Sequence, residues 1–201
     1  MTIKETRMNR ILARGQRVAA IAATSALLLG ASVAAHAQKV KLATSAGDIV
    51  IELDKAKAPK TVDNFVQYVK DGHYNGTVFH RVIPTFMIQG GGMTADMVEK
   101  KTRAPIPLES RNGLSNVRGS IAMARTGDPN SATSQFFINV QDNARLDAAN
   151  AADGNGYAVF GKVVSGMEVV DKIRVVPTSS KGMHDDVPMM PVTINKATIE
   201  K

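Results

Sequence analysis

Cysteine and tryptophan are absent from this 201-residue chain, and aromatic residues make up only 4% of it. Without cysteine there is no disulfide framework and no lipid-attachment site, so the fold must stand without covalent staples. The four histidines, His36, His73, His80 and His184, are scattered rather than paired at ligand spacing, which leaves a metal site without a basis. The missing tryptophan, and the lack of Lys/Arg runs interleaved with aromatics, remove the stacking platform and basic track that nucleic-acid binding needs. Gly90-Gly91-Gly92 is not followed by Lys-Ser/Thr, so it is no phosphate loop and reads as a flexible exit from a strand.

What is present divides into two parts. Lys4, Arg7, Arg10, Arg14 and Arg17 precede an Ala/Leu/Ile/Val run from Val18 to Ala35, and Ala35-His36-Ala37 has the small-x-small form of a signal-peptidase site. Residues 1–37 therefore read as a secretory signal peptide and residues 38–201 as one domain. A retained anchor is the alternative, since the run is near the lower length limit for a spanning helix, but its many alanines and the cleavage site argue against it. The signal carries five of the basic residues and one acidic residue, so its loss takes the net charge from +7 to +3. The pI near 9.7 is then no sign of a nucleic-acid partner. Export is the expectation, most naturally to a Gram-negative periplasm, with no membrane attachment after cleavage.

The remainder, in a chain 44% hydrophobic and 21% charged, has the patterning of a small β-rich domain. Lys39–Thr44 and Asp48–Leu53 read as a hairpin joined through Ser45-Ala46-Gly47. Pro59 starts a helix whose Val62, Phe65, Val66 and Val69 share one face and which Gly72 ends. Residues 78–90 return to strand character, Gly91 to Asn116 reads as surface loop, and strands are predicted over 119–124, 135–140 and 157–164. A second helix is predicted to begin at Ser165, with Glu168 completing a capping box and Val169, Val170 and Ile173 forming its apolar side. It stops before Pro177, and Val192–Ile199 closes the chain as an alternating strand. About eight short strands and two amphipathic helices fit either a sandwich or a closed antiparallel barrel.

Two blocks choose between them. Phe79-His80-Arg81-Val82-Ile83-Pro84-Thr85-Phe86-Met87-Ile88-Gln89-Gly90-Gly91 and Ser134-Gln135-Phe136-Phe137-Ile138-Asn139 together resemble the cyclophilin family of peptidyl-prolyl cis-trans isomerases, in its bacterial, exported branch. The resemblance covers nearly all of residues 38–201. It implies a mainly β fold, a closed eight-stranded antiparallel β-barrel capped by two α-helices, and an isomerase without a cofactor.

It also implies roles for individual residues. Arg81 corresponds to the family's catalytic arginine, and Gln89 to the glutamine that binds substrate backbone and helps place it. Phe86, Met87, Phe137 and Leu146 match the apolar lining for the proline ring. Ala124 and Arg125 fall on the segment that pairs with an extended substrate, Gln135 lines the same groove, and Tyr157 stands where the animal-type pattern has a pocket histidine. Arg145 replaces the tryptophan associated in the family with tight cyclosporin binding, so weak cyclosporin binding is expected. His80, beside Arg81, is expected to be a hydrogen-bonded core residue on the opposite strand face rather than a base. The expected partners are proline-containing unfolded or extended polypeptides, and the chain, lacking coiled-coil heptads or an added domain, is expected to be a monomer. A chaperone that grips proline segments without speeding their rotation is the competing function.

Overall fold

In the computed structural model, which describes residues 38–200, β1 (Lys39–Thr44) and β2 (Gly47–Leu53) form the predicted hairpin. The signal-peptide expectation lies outside the described residues. Val40 and Leu42 of β1 and Ile49, Ile51 and Leu53 of β2 alternate inward and are buried, as period-two patterning requires.

Helix α1 (Pro59–Lys70) follows with proline in its first turn, and Ala58 before it offers no side-chain cap. The cap comes instead from far along the chain. The Glu109 carboxylate accepts from Lys60 N–H at 3.1 Å, from Thr61 N–H at 2.8 Å and from the Thr61 hydroxyl at 2.7 Å, placing negative charge where free helix donors and the dipole favour it. The long loop is thereby tied to α1.

The segment expected as one strand over 78–90 is a hairpin, β3 (Thr77–Ile83) and β4 (Met87–Thr94), folded at Pro84-Thr85-Phe86. Apolar residues continue through the turn, so hydrophobicity alone hides it. Gly90, Gly91 and Gly92 lie inside β4 and are buried, which corrects their reading as a flexible exit. Gly91 and Gly92 permit close approach: a Cβ on Gly92 would meet the Gln135 side chain at 2.5 Å, and one on Gly91 would meet the Phe136 ring at 2.8 Å.

Strands β5 (Ser120–Met123), β6 (Phe136–Asn139) and β7 (Val159–Ser165) complete the predicted set before α2 (Met167–Arg174). Ser165 does not cap α2, contrary to the capping-box reading. It ends β7, and the turn is made by Gly166 at φ 88°, where a Cβ would meet Asp48 O at 2.2 Å. That closeness demands glycine and puts the entry angle beyond a serine cap's reach.

A hairpin absent from the sequence reading, β8 (Thr178–Lys181) and β9 (His184–Pro188), packs beside β3 before β10 (Thr193–Glu200) closes the chain. Its polar strands lack an apolar period, which is why pattern missed it. The eight barrel strands run in the antiparallel order β1-β10-β3-β4-β6-β5-β7-β2, with β2 returning to β1. The expected mainly β barrel with two helices is thus observed, and closure leaves it no free sheet edge.

The interior is filled by side chains. Phe65 of α1 packs against Tyr74, Phe136 and Phe160 at centroid separations of 5.1, 5.7 and 5.1 Å, and Phe136 meets Phe79 edge-on at 6.2 Å. Val169, Val170 and Ile173 of α2 join the same core. The barrel interior is thus lined by packed aromatic and aliphatic side chains. Glu109→Ala is predicted to lower stability by about 1–2 kcal/mol, as loss of a helix cap does, read as a lower urea midpoint with an unchanged slope.

Candidate functional site

A second, smaller apolar cluster sits on the outer barrel face, made of Met87, Ala122, Phe137 and Val159, with Ile83, Phe86, Leu114, Ala124, Leu146 and Tyr157 packed against it. Strand alternation accounts for its separation from the core. Phe136 points into the barrel and Phe137 out, and Ile88 points in while Met87 and Gln89 point out.

Arg81 reaches the same face through a break in the alternation. Phe79 pairs with Gly90 and Arg81 pairs with Gln89, so two steps along β3 match one along β4 and His80 is the extra residue of a bulge. Without it Phe79 and Arg81 would share a face; with it, Phe79 fills the core while Arg81 is half-exposed outside, opposite Gln89. The Gln89 amide donates to the Gln135 side-chain oxygen at 2.9 Å, and the Gln135 side chain lies across Gly92. Arg81, Gln89 and Gln135 thus form a polar strip beside the apolar cluster.

Nothing in the sequence reading singled out Asp186. It lies on β9 with its carboxylate 3.8 Å from Arg81 Nε, in the left-handed conformation at φ 60°. Only the tertiary placement of the unpredicted hairpin brings the two together.

His80 is buried, as expected, and its Nδ1 has no hydrogen-bond partner among the described residues. Burial, reinforced by the nearby His184, depresses its pKa to about 4. His73 lies in the turn after α1 with Nε2 3.2 Å from Gly91 O, and burial lowers its pKa as well.

Arg125 is not a free groove side chain. Nε donates to Gly156 O at 3.0 Å, one terminal nitrogen donates to Thr126 O at 2.9 Å and the other binds the Asp153 carboxylate, while the guanidinium lies 4.6 Å from the Tyr157 ring centre. The Asp153 pKa falls to about 2 through the Asn155 N–H, Arg125 and the Gly156 N–H. Arg125 therefore fastens the 153–157 loop and sets Tyr157, whose ring meets Phe137 edge-on at 5.5 Å. Ala124 N–H is bonded to Gln135 O at 3.0 Å, which joins the two edges of the site.

A buried amide network supports the floor. Asn143 Nδ2 donates to Phe86 O at 2.8 Å and to the Asn139 side chain at 2.7 Å, and Asn139 donates to Ser120 at 2.9 Å and to Asn116 at 3.2 Å. It pins the Phe86 turn to the short 3₁₀ segment Ala144–Leu146. Asparagine is common in loops, so this role was not readable from composition.

Residues 39–199 match the model of the "Cyclophilin type peptidyl-prolyl cis-trans isomerase/CLD" family. The chain belongs to the cyclophilin-type peptidyl-prolyl cis-trans isomerases. It is 59% identical over 161 residues to the peptidyl-prolyl cis-trans isomerase cyp18 of Streptomyces antibioticus, covering 80% of this chain and 97% of the relative. It is 56% identical over 177 residues to a peptidyl-prolyl cis-trans isomerase of Acinetobacter baylyi, covering 87% and 93%. Among solved structures, a cyclophilin-type isomerase of Cryptosporidium parvum superposes with a TM-score of 0.68 at 28% identity, covering 82% of this chain and 98% of that one. The enzyme class inferred from the two motif blocks is thereby established, and the cyclophilin barrel is the scaffold on which the outer face is built.

The His80 pKa carries a prediction about stability. Its folded value of about 4 lies below the ordinary 6.5, so between them the unfolded chain binds the extra proton and the folded chain does not. Stability from this group is whole above pH 6.5 and is lost as pH falls towards 4. Urea titrations across that window should show the decline, and His80→Gln should flatten it.

Proposed function

We propose that this cyclophilin accelerates rotation about X-Pro bonds in unfolded or extended exported chains, with the outer-face cluster holding the proline ring and Arg81 supplying the donor. The observation that carries this reading is the register pairing of Arg81 with Gln89 directly beside Met87 and Phe137. Uncatalysed rotation faces a barrier of about 18–20 kcal/mol because amide resonance must be broken. No covalent bond is made or cleaved. The twisted amide has a pyramidal, more basic nitrogen, so a donor held beside a water-poor pocket interacts with it more strongly than with the planar ground state.

A guanidinium suits this task because it stays charged and offers five N–H groups in a rigid fork. Asp186 approaches Nε, which leaves both terminal nitrogens for a substrate carbonyl and the prolyl nitrogen. Met87, Phe137, Phe86, Leu146 and Tyr157 surround the ring position with aromatic and thioether surface, which adapts to a flat saturated ring and excludes water. Gln89 and Gln135 serve the substrate backbone, and Ala124 and Arg125 provide main-chain groups at the edge. A second structure of the Cryptosporidium parvum relative was determined in the presence of the dipeptide Ala-Pro, which supports an X-Pro ligand for this groove. Residues 1–37 act as a signal that delivers the enzyme to the periplasm, where it works as a monomer without a cofactor.

Exchange NMR on a short Ala-Pro peptide with catalytic amounts of protein tests the mechanism. Arg81→Ala should slow exchange by at least about tenfold while leaving the fold intact, since about 1.4 kcal/mol of lost transition-state stabilisation suffices. Peptide-induced shifts without faster exchange in the wild type would make this a proline-binding chaperone. Cyclosporin should inhibit weakly, because Arg145 offers neither the indole N–H nor its apolar face; a nanomolar inhibition constant would contradict this.

A further inference from the structure

Three arginines ring the outer-face site, and they differ in what neutralises them. Arg81 has Asp186, and Arg125 is buried against Asp153. Arg145 is exposed and has no carboxylate within ion-pair distance among the described residues, although its guanidinium carbon lies 4.6 Å from the centre of the Phe86 ring. The acidic residues flanking it in sequence are engaged elsewhere. Asp142 accepts from the Arg118 N–H at 2.8 Å, and Asp147 accepts from the Asn116 N–H at 2.7 Å.

The platform under Arg145 is fixed. Asn143 and the Val140 N–H both hold Phe86 O, and Leu146, next to Arg145, donates to Asn143 O at 2.8 Å and accepts from Tyr157 N–H at 2.9 Å. Leu146 and Phe86 themselves pack against the apolar cluster. A stacked guanidinium spends its face on the ring but keeps its N–H edge in plane, ready for a bidentate carboxylate.

We propose that Arg145 makes this site selective for X-Pro segments that carry a carboxylate within a residue or two of the proline. The inference rests on the proline-site reading above and adds the class of substrate. Arg145 holds an anionic neighbour at the rim while the ring occupies the cluster. Because both charges are solvated, the gain is modest and salt-sensitive, about twofold to fivefold at low ionic strength. A chain with a neutral or basic flank is turned over without that advantage.

The test compares capped Ala-Pro peptides bearing Glu, Gln or Lys at each flanking position, with a neutral peptide whose C-terminal carboxylate is free to separate side-chain from terminal carboxylates. For the wild type, kcat/KM should rank Glu above Gln above Lys at one flank or more, and the Glu/Gln ratio should collapse towards one at about 1 M salt. Arg145→Gln should abolish the ratio at low salt, and Arg145→Lys should retain part of it. A ratio of one in the wild type, or a ratio that survives Arg145→Gln, overturns the proposal. The same ratios are read as dissociation constants from peptide-induced NMR shifts. If no peptide is turned over, the isomerase mechanism fails while the carboxylate preference is still decided by binding.

Discussion

The filling of the barrel by aromatic rings is the constraint on which the rest of the molecule depends. The chain has only six phenylalanines and three tyrosines. Phe65, Phe79, Phe136, Phe160, Tyr68 and Tyr74 go to the main core, and Phe86, Phe137 and Tyr157 go to the outer cluster. With these rings packed against one another in the lumen, the barrel serves as a support rather than a container. The candidate site lies on its wall, where strand alternation turns Met87 and Gln89 of β4, Ala122 of β5 and Phe137 of β6 away from the core and into the outer cluster and its polar strip. An apolar cluster on such a wall persists because loops fold over its margins.

Those margins are held by polar contacts that close the loops onto one another. The Asn116–Asn139–Asn143 network locks the Phe86 turn to the 3₁₀ segment, and Arg125 locks the 153–157 loop under Tyr157. Buried amides must be satisfied, so each network admits few arrangements and fixes the loop that it holds. This suits the mechanism proposed above, which makes no covalent bond and draws its effect from groups already aimed at the twisted amide. The free energy of folding, not of substrate binding, then fixes their positions.

Much of the architecture was legible in the sequence. The opening hairpin, α1 and the last strand follow from period-two and period-3.6 patterning with glycine and proline at their boundaries. The two motif blocks, through their resemblance to cyclophilins, selected the barrel over a sandwich, which pattern left open. The β3–β4 turn was hidden because Ile83, Phe86 and Met87 keep hydrophobicity high through it. The β8–β9 hairpin was hidden for the opposite reason, having polar strands with no apolar period. At α2, Ser165 and Glu168 had the right letters for a capping box, but the backbone approach at Gly166 decides the start.

By itself the sequence determined the strand and helix periods, the absence of covalent staples, and the residue types available at the site: one invariably charged donor at Arg81, two glutamines, and a small set of rings and apolar side chains. These follow from local chemistry, since period and charge are properties of neighbouring residues. Only the tertiary structure decided which face each residue occupies and which partner it meets. The bulge at His80 turns Arg81 outward, the placement of β9 brings Asp186 to it, and folding takes the Arg125 side chain out of the groove while leaving Arg145 at the rim without a counter-ion among the described residues. Those pairings join residues far apart in the chain, and their distances are set by barrel closure, which no local window of sequence contains.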